Sequence, residues 1–290
     1  MSNTYKYVRN ELTDDYGILK LQDKILEIMV YIDKFCNEHD IKYFLMGGSA
    51  LGAIRHGGFI PWDDDLDIFM PYDDYLRFSK LCETYLDKNK FYFQRENTPE
   101  FPYFFSKIRM NGTTCIDKTQ ICNENMHQGI FVDIMCLNHA APKGIKRLVQ
   151  FYEAALLRSY ALSKVPQYRA DSFKKRTAIA FSSFFVRGKI KDFLINSVRK
   201  YNGKAADDVA HVFGRASFKN AYYPATLFMN MRYEPFEQVM LAVPNGVEDY
   251  LSLRYGKDYM KMPDEKTKAI YKTHSMIWDV EKDYSEYIQK

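Results

Sequence analysis

The 290-residue chain has no run of about twenty uninterrupted apolar residues, so the sequence argues against a transmembrane span. Cysteine is sparse: Cys36, Cys82, Cys115, Cys122 and Cys136 are odd in number and unclustered, which speaks against a disulfide framework. The opening segment "MSNTYKYVRNELTDDYG" lacks the basic-then-apolar pattern of a leader. These absences lead us to expect free thiols in a reducing, cytoplasmic compartment. Net charge is only +4, with Lys and Arg scattered rather than blocked, so nucleic acid is not an expected partner. Internal repeats, low-complexity tracts, and G-x-x-x-x-G-K-S, G-x-S-x-G or G-x-G-x-x-G signatures are absent as well.

What is present is an ordered globule, 47% apolar, long enough to bury a substantial core. Residues 17–38 carry apolar side chains at helical spacing through Leu21, Ile25, Leu26, Met29, Ile32 and Phe35, predicting an amphipathic helix. "IKYFLM" (41–46) reads as a short buried strand, followed by a glycine turn into a helix, then the strand "DLDIFM" (65–70). A helix opens at Pro71 with Asp73 and Asp74 in its first turn. Further strands are expected in "KFYFQR", "YFFSKIRM" and "GIFVDIMCL". From about residue 143 the pattern turns helical: 143–163, then one long or two shorter helices over 172–202, then "GVEDYLSLRYG" closed by Gly256. The fold class expected is α+β, with an N-terminal half (1–142) carrying the carboxylates and a mainly helical C-terminal half (143–290).

Chemistry concentrates in "MGGSALGAIRHGGFIPWDDDLDIFM" (46–70). On a strand, Asp65 and Asp67 project to one side and can reach a single divalent cation. A solvated strand face is the ordinary explanation of a D-x-D pair, but this one sits between Trp62 and "IFM", where unpaired carboxylates are costly to bury. Gly47, Gly48 and Ser49, between a strand and a helix, can aim backbone N–H groups and a hydroxyl at a phosphate. Asp133 is the only charged residue in "GIFVDIMCL" and is a candidate third carboxylate, or else a capped structural group. Cys115, Cys122, His127 and Cys136 suggest zinc only weakly, because no C-x-x-C pairing is present. "TAIAFSSFFV" (177–186), flanked by Lys174, Lys175, Arg176, Arg187, Lys189 and Lys191, reads either as a buried helix with solvated ends or as a basic helix lying on an anionic membrane.

The turn, the D-h-D strand and the later Asp together resemble the nucleotidyltransferase superfamily. "GGSALGAIRHGGFIPWDDDLDI", "SKIRMNGT" before "GIFVDIM", and "VPNGVEDYLSLRYGKDYMKMP" are similar to the signature of the LicD family of phosphocholine transferases, with the fukutin group, which transfers ribitol phosphate, more distant. The likeness runs over roughly residues 17–265. It implies a nucleotidyltransferase-like mixed sheet core with flanking helices. It also implies Asp65, Asp67 and Asp133 as catalytic and metal carboxylates for Mg²⁺, with Mn²⁺ the alternative, and Asp63 and Asp64 as supporting acids. Gly47, Gly48 and Ser49 become the donor-phosphate turn. Arg55, His56, Lys107 and Arg109 become candidate pyrophosphate contacts, their ordinary alternative being surface salt bridges.

The implied reaction passes a phospho-alcohol from a CDP carrier such as CDP-choline to a sugar hydroxyl of lipopolysaccharide, teichoic acid or capsule, releasing CMP. A glycerol- or ribitol-phosphate transferase, a nucleotidyltransferase releasing pyrophosphate, and a non-catalytic binding protein are the rivals. Asp63, Asp64 and Asp133 are the open choices for the base. A choline ammonium would want an aromatic cage, for which the chain's 23 Tyr and 21 Phe are permissive but also build any core. Tyr255, Gly256 and Tyr259 match the last motif, with helix packing and a Gly stop as their default role. Lipid-linked acceptors would place the enzyme peripherally at the inner membrane face, with residues 174–191 as the contact.

Overall fold

A computed structural model describes residues 14–117, 126–165, 170, 172–214, 216–268 and 275–287. Cys122 lies outside them.

Helix α1 (Leu19–Glu38) buries the predicted stripe of Leu21, Ile25, Leu26, Met29, Ile32 and Phe35. Strand β1 is only Phe44–Leu45, because the glycine segment enters helix α2 (Gly47–His56) at once. Gly47 takes φ +54° at that entry, a left-handed conformation that favours glycine. Strand β2 (Asp67–Pro71), helix α3 (Tyr72–Tyr85) and strands β3 (Phe91–Gln94), β4 (Ser106–Met110), β5 (Thr114–Asp117) and β6 (Phe131–His139) follow. Then come helices α4 (Ile145–Ser163), α5 (Phe173–Phe185) and α6 (Gly188–Arg199). The chain continues through β7 (Asp208–Ala210), β8 (Tyr222–Pro224), β9 (Met231–Phe236), β10 (Val239–Pro244), helix α7 (Val247–Tyr255) and β11 (Ser275–Asp279). The C-terminal half is helical through α4–α6, but beyond them the described residues carry five strands, so the half is more mixed than the mainly helical one expected. Their short, mixed sequences carry little alternation for a period-2 reading to detect.

The main sheet runs β1-β2-β6-β4-β3, with β7 and β8 added beyond β6. Within it β2 and β6 are parallel and the other pairings antiparallel, giving the mixed sheet of an α+β fold. β2 and β6 are the central, two-sided strands, so they read as nearly continuous apolar runs. A polar residue in such a run therefore needs a local explanation, and Asp133 is one.

One large core joins α1, the sheet and α3 to Tyr223, Phe228, Phe236, Leu241, Val243, Val247, Tyr250 and Leu251. Residues on both sides of position 142 thus share it. A smaller cluster forms beneath α4 and α6 around Phe104, Ala154, Leu157, Val198, Val212 and Phe213.

Candidate active site

Sheet register assembles the acids. Asp67 opens β2 directly beside Asp133 of β6, and Asp133 lies beside Lys107 of β4. Three consecutive strands therefore present Asp67, Asp133 and Lys107 side by side. Lys107 Nζ contacts Asp133 Oδ1 at 2.6 Å and sits 3.3 Å from the centre of the Phe131 ring, so a buried ammonium is boxed between a carboxylate and an aromatic face. Burial lowers the Lys107 pKa, and the Asp133 charge opposes that shift.

Asp65 lies in the loop just ahead of β2, not on the strand that the D-h-D pattern implied. Strand pairing begins at Asp67, where Met46 N–H donates to the Asp67 carbonyl and the Asp67 N–H donates to Ser49 Oγ at 2.9 Å. Asp65 still belongs to the cluster. The Asp67 carboxyl is pushed well above the usual carboxylate range by burial, then by Asp65 and Asp133, against the pull of Lys107 and Arg254. Asp63 is raised by burial and by Asp65, Asp67 and Asp64.

Helix α2 aims its N-terminus at this group. The Asp63 carboxylate lies against Gly48 so closely that a Cβ there would stand 2.6 Å from Asp63 Oδ2. Glycine at 48 therefore holds open the approach between helix start and acid. Gly48→Ala should displace that carboxylate and slow turnover by about 10- to 100-fold, the scale expected of a roughly 1 Å misplacement. Steady-state rates alongside an unchanged Tm would check this; a lowered Tm would mean that the helix itself had moved.

The other anticipated residues have separate tasks. Gly47 donates its N–H to the buried Tyr250 hydroxyl at 2.9 Å, tying α2 to α7. Asp64 accepts from Ser275 N–H at 2.8 Å and from Ser275 Oγ at 2.5 Å, so it anchors the acidic loop to β11. Arg55 and His56 sit at the far, C-terminal end of α2. There Arg55 donates to His56 Nε2 at 2.9 Å and to the carbonyls of Tyr259 and Lys261, clamping the C-terminal segment. Arg109 shares Lys107's face of β4 but braces the sheet, donating to Gln94 Oε1 and the Gly129 carbonyl, both at 2.7 Å.

A cation that the sequence reading passed over completes the site. Arg254 of α7 places Nη2 where a Cβ on Gly47 would lie 3.5 Å away. Its Nη1 reaches the Tyr223 hydroxyl at 3.4 Å, and its guanidinium lies 5.5 Å from the Tyr255 ring centre. Nε of Arg254 is buried with no partner among the described residues. The signal lies in "VPNGVEDYLSLRYGKDYMKMP", where a helix-packing role for Tyr255, Gly256 and Tyr259 leaves the arginine beside them without a task.

A zinc site finds no support in His127. One ring nitrogen pairs with Asn111 Oδ1 at 3.0 Å and the other accepts the Gly129 N–H at 3.1 Å, while the ring stacks 4.8 Å from Tyr92. Cys115 and Cys136 are free, buried thiols whose pKa burial raises to about 12.

A glycine-started helix facing acids on adjacent strands of a mixed sheet fits an enzyme with a nucleotidyltransferase domain. The LicD/FKTN/FKRP nucleotidyltransferase domain matches residues 40–133, the stretch holding α2, the acidic loop and Asp133. The lipopolysaccharide cholinephosphotransferase LicD of Haemophilus influenzae is 29% identical over 83% of this chain and 90% of its own length. The ribitol 5-phosphate transferase FKRP of Homo sapiens is 53% identical, over 34 residues covering 12% of this chain and 7% of that protein. An uncharacterized Rickettsia typhi protein is 37% identical over 20% of this chain and 18% of its own length. The chain is thus similar to the LicD group in its nucleotidyltransferase domain and, at lower identity, over most of its length.

Proposed function

We propose that this enzyme moves phosphocholine, or a closely similar phospho-alcohol, from a CDP-linked donor to a hydroxyl of a bacterial cell-surface glycan, releasing CMP. The observation that carries this reading is the meeting of the α2 N-terminus, Arg254 and the Asp65–Asp67–Asp133 acids at one place. Cation and helix start suit the donor's pyrophosphate, and the acids suit a divalent ion beside it. The cholinephosphotransferase relative, matched over most of both chains, supports choline as the alcohol, and the short FKRP match supports ribitol phosphate as the second donor to try.

The donor set fits Mg²⁺, or Mn²⁺, through hard carboxylate oxygens. Among the described residues no three His, Cys, Asp or Glu side chains form a ready metal cage. Mg²⁺ does not need one, because it is commonly held by one or two carboxylates together with substrate phosphate oxygens. Asp65 and Asp67 would supply those two. Asp133, held by Lys107, flanks them as the neighbouring charge. When bound, the ion would offset charge developing on the transferred phosphoryl group.

The chain's own groups do the rest. Arg254 and the Gly48 and Ser49 N–H groups would hold the pyrophosphate. Asp64 is committed to Ser275 and Asp133 to Lys107. The Asp63 carboxylate, paired with Asp65 and raised by burial and the acids around it, would take the acceptor hydroxyl's proton.

The test is CMP release from CDP-choline, CDP-ribitol and CDP-glycerol in separate reactions with Mg²⁺, with and without a lipopolysaccharide acceptor. CDP-choline should give acceptor-dependent CMP, and Arg254→Met should raise KM for the donor about tenfold or more, the cost of a charge-assisted hydrogen bond. Pyrophosphate release from a nucleoside triphosphate, with no CMP from any CDP-alcohol, would overturn the reading.

A further inference from the structure

The helix α5 is turned inside out. Of its thirteen residues, Ser182 is the one fully buried, while Phe173, Phe181, Phe184 and Phe185 are exposed. Phe173 and Phe184 stand 79% and 67% exposed, where a core-packing helix ordinarily buries most of its large apolar side chains. Phe173, Phe181 and Phe184 fall on one face at 100° per residue, with Thr177 among them. Two exposed side chains of α6, Ile190 and Phe193, extend the apolar surface. The aromatic cluster is already assembled, with Phe181 and Phe184 rings 4.5 and 4.9 Å from Phe185. The buried-helix reading of residues 177–186 is therefore overturned: the apolar residues are present, but they point outward.

Charge selects the occupant. Residues 173–200 carry eight Lys and Arg against the single acid Asp192, so this helix pair is more basic than the whole chain, whose net charge is +4. Lys174, Arg176, Arg187 and Lys189 are exposed around the phenylalanines. A protein partner is ordinarily met by polar groups of both signs, whereas phenylalanines ringed by cations match an anionic lipid surface, where rings enter the headgroup layer and cations meet phosphates. No helix among the described residues is long and apolar enough to cross a membrane, so the contact is one that lies in the interface plane.

We infer that the exposed face of α5 and the start of α6 docks on an anionic bilayer. This surface is separate from the acidic site, so its test has its own readout. The full chain is sedimented with vesicles of phosphatidylcholine alone and of phosphatidylcholine with phosphatidylglycerol. Binding should appear on the anionic vesicles and fall with added salt. Lys174→Gln with Lys189→Gln should weaken the partition coefficient about 25-fold, at about fivefold per cation. Phe181→Ser with Phe184→Ser should weaken it by about tenfold or more, with an unchanged Tm showing that these exposed replacements leave the fold intact. Equal binding to neutral vesicles, no binding to either, or indifference to the phenylalanine pair would overturn the inference. So would a concentration-dependent dimer in sedimentation velocity that the phenylalanine pair abolishes, which would assign the face to a second copy of the chain.

Discussion

Asp67→Asn should lower CMP release by about 10³-fold or more while making the metal-free protein more stable. The rate loss follows from removing a charge that a divalent ion and the transferred phosphoryl group both need. The stability gain follows from the same burial. Asp67 is pushed well above the ordinary carboxylate range by burial, with Asp65 and Asp133 adding repulsion that Lys107 and Arg254 only partly relieve. Asparagine keeps the shape and sheds the charge, so a gain of about 1 kcal/mol is expected, or about 2–4 °C in Tm for a chain of this order of size.

The pH dependence has a definite sign. The native carboxyls of Asp63 and Asp67 hold protons more tightly than they would in the unfolded chain. The native state therefore binds more protons in the window between the ordinary carboxylate value near about 4 and the raised value. Across that window the stability of the metal-free protein falls as pH rises, and Asp67→Asn should flatten the slope. Mg²⁺ should reverse the trend, since its ligands must be deprotonated and it binds the native state alone. Thermal melts of both proteins, with Mg²⁺ or EDTA, from weakly acid to neutral pH would show all three effects. A variant that melts lower than the parent, or that keeps the parent's rate, would remove Asp67 from the metal role.

The sequence made these acids legible because they broke local patterns: three aspartates in a row, a fourth two residues on in an apolar run, and Asp133 alone among apolar residues. Helix α1 was equally plain, since a 3.6-residue stripe over twenty residues has no competing explanation. Other features depended on distance. Nothing near Arg55 in the sequence says that its guanidinium will be spent on the carbonyls of Tyr259 and Lys261. Nothing near Asp64 announces Ser275, 211 positions away. Arg254 escaped for the same reason, because it reaches the glycine turn only after α7 docks on α2. The strand starts at Asp67 instead of Asp65, and there the Asp67 N–H is taken by Ser49 Oγ from a different element. For α5 the apolar count left both a buried and an outward-facing helix open, since composition alone does not say which face meets the core.

The pair between Lys107 and Asp133 gives the largest expected effect on stability, and the effect should be unequal. Both side chains are almost wholly enclosed, at 4% and 13% exposure, and removing one partner of a buried ion pair costs about 3–5 kcal/mol because the other charge is left without compensation. Lys107→Met should carry that full cost, on the order of 10 °C in Tm, because it strips a cation from a site that already crowds Asp65, Asp67 and Asp133. Asp133→Asn should cost less. It strands the ammonium, but the Phe131 face at 3.3 Å still holds the cation, and the repulsion on Asp67 is relieved. Lys107→Met/Asp133→Asn should recover much of the Tm lost in Lys107→Met yet remain as inactive as Asp133→Asn. Equal costs for the two single changes would mean that the pair acts alone and that the neighbouring acids do not press on it. Recovery of rate along with Tm would mean that the pair serves only the fold. Restored stability without restored rate assigns Asp133 to the chemistry, because a charge kept only to balance Lys107 has no further use once Lys107 is gone.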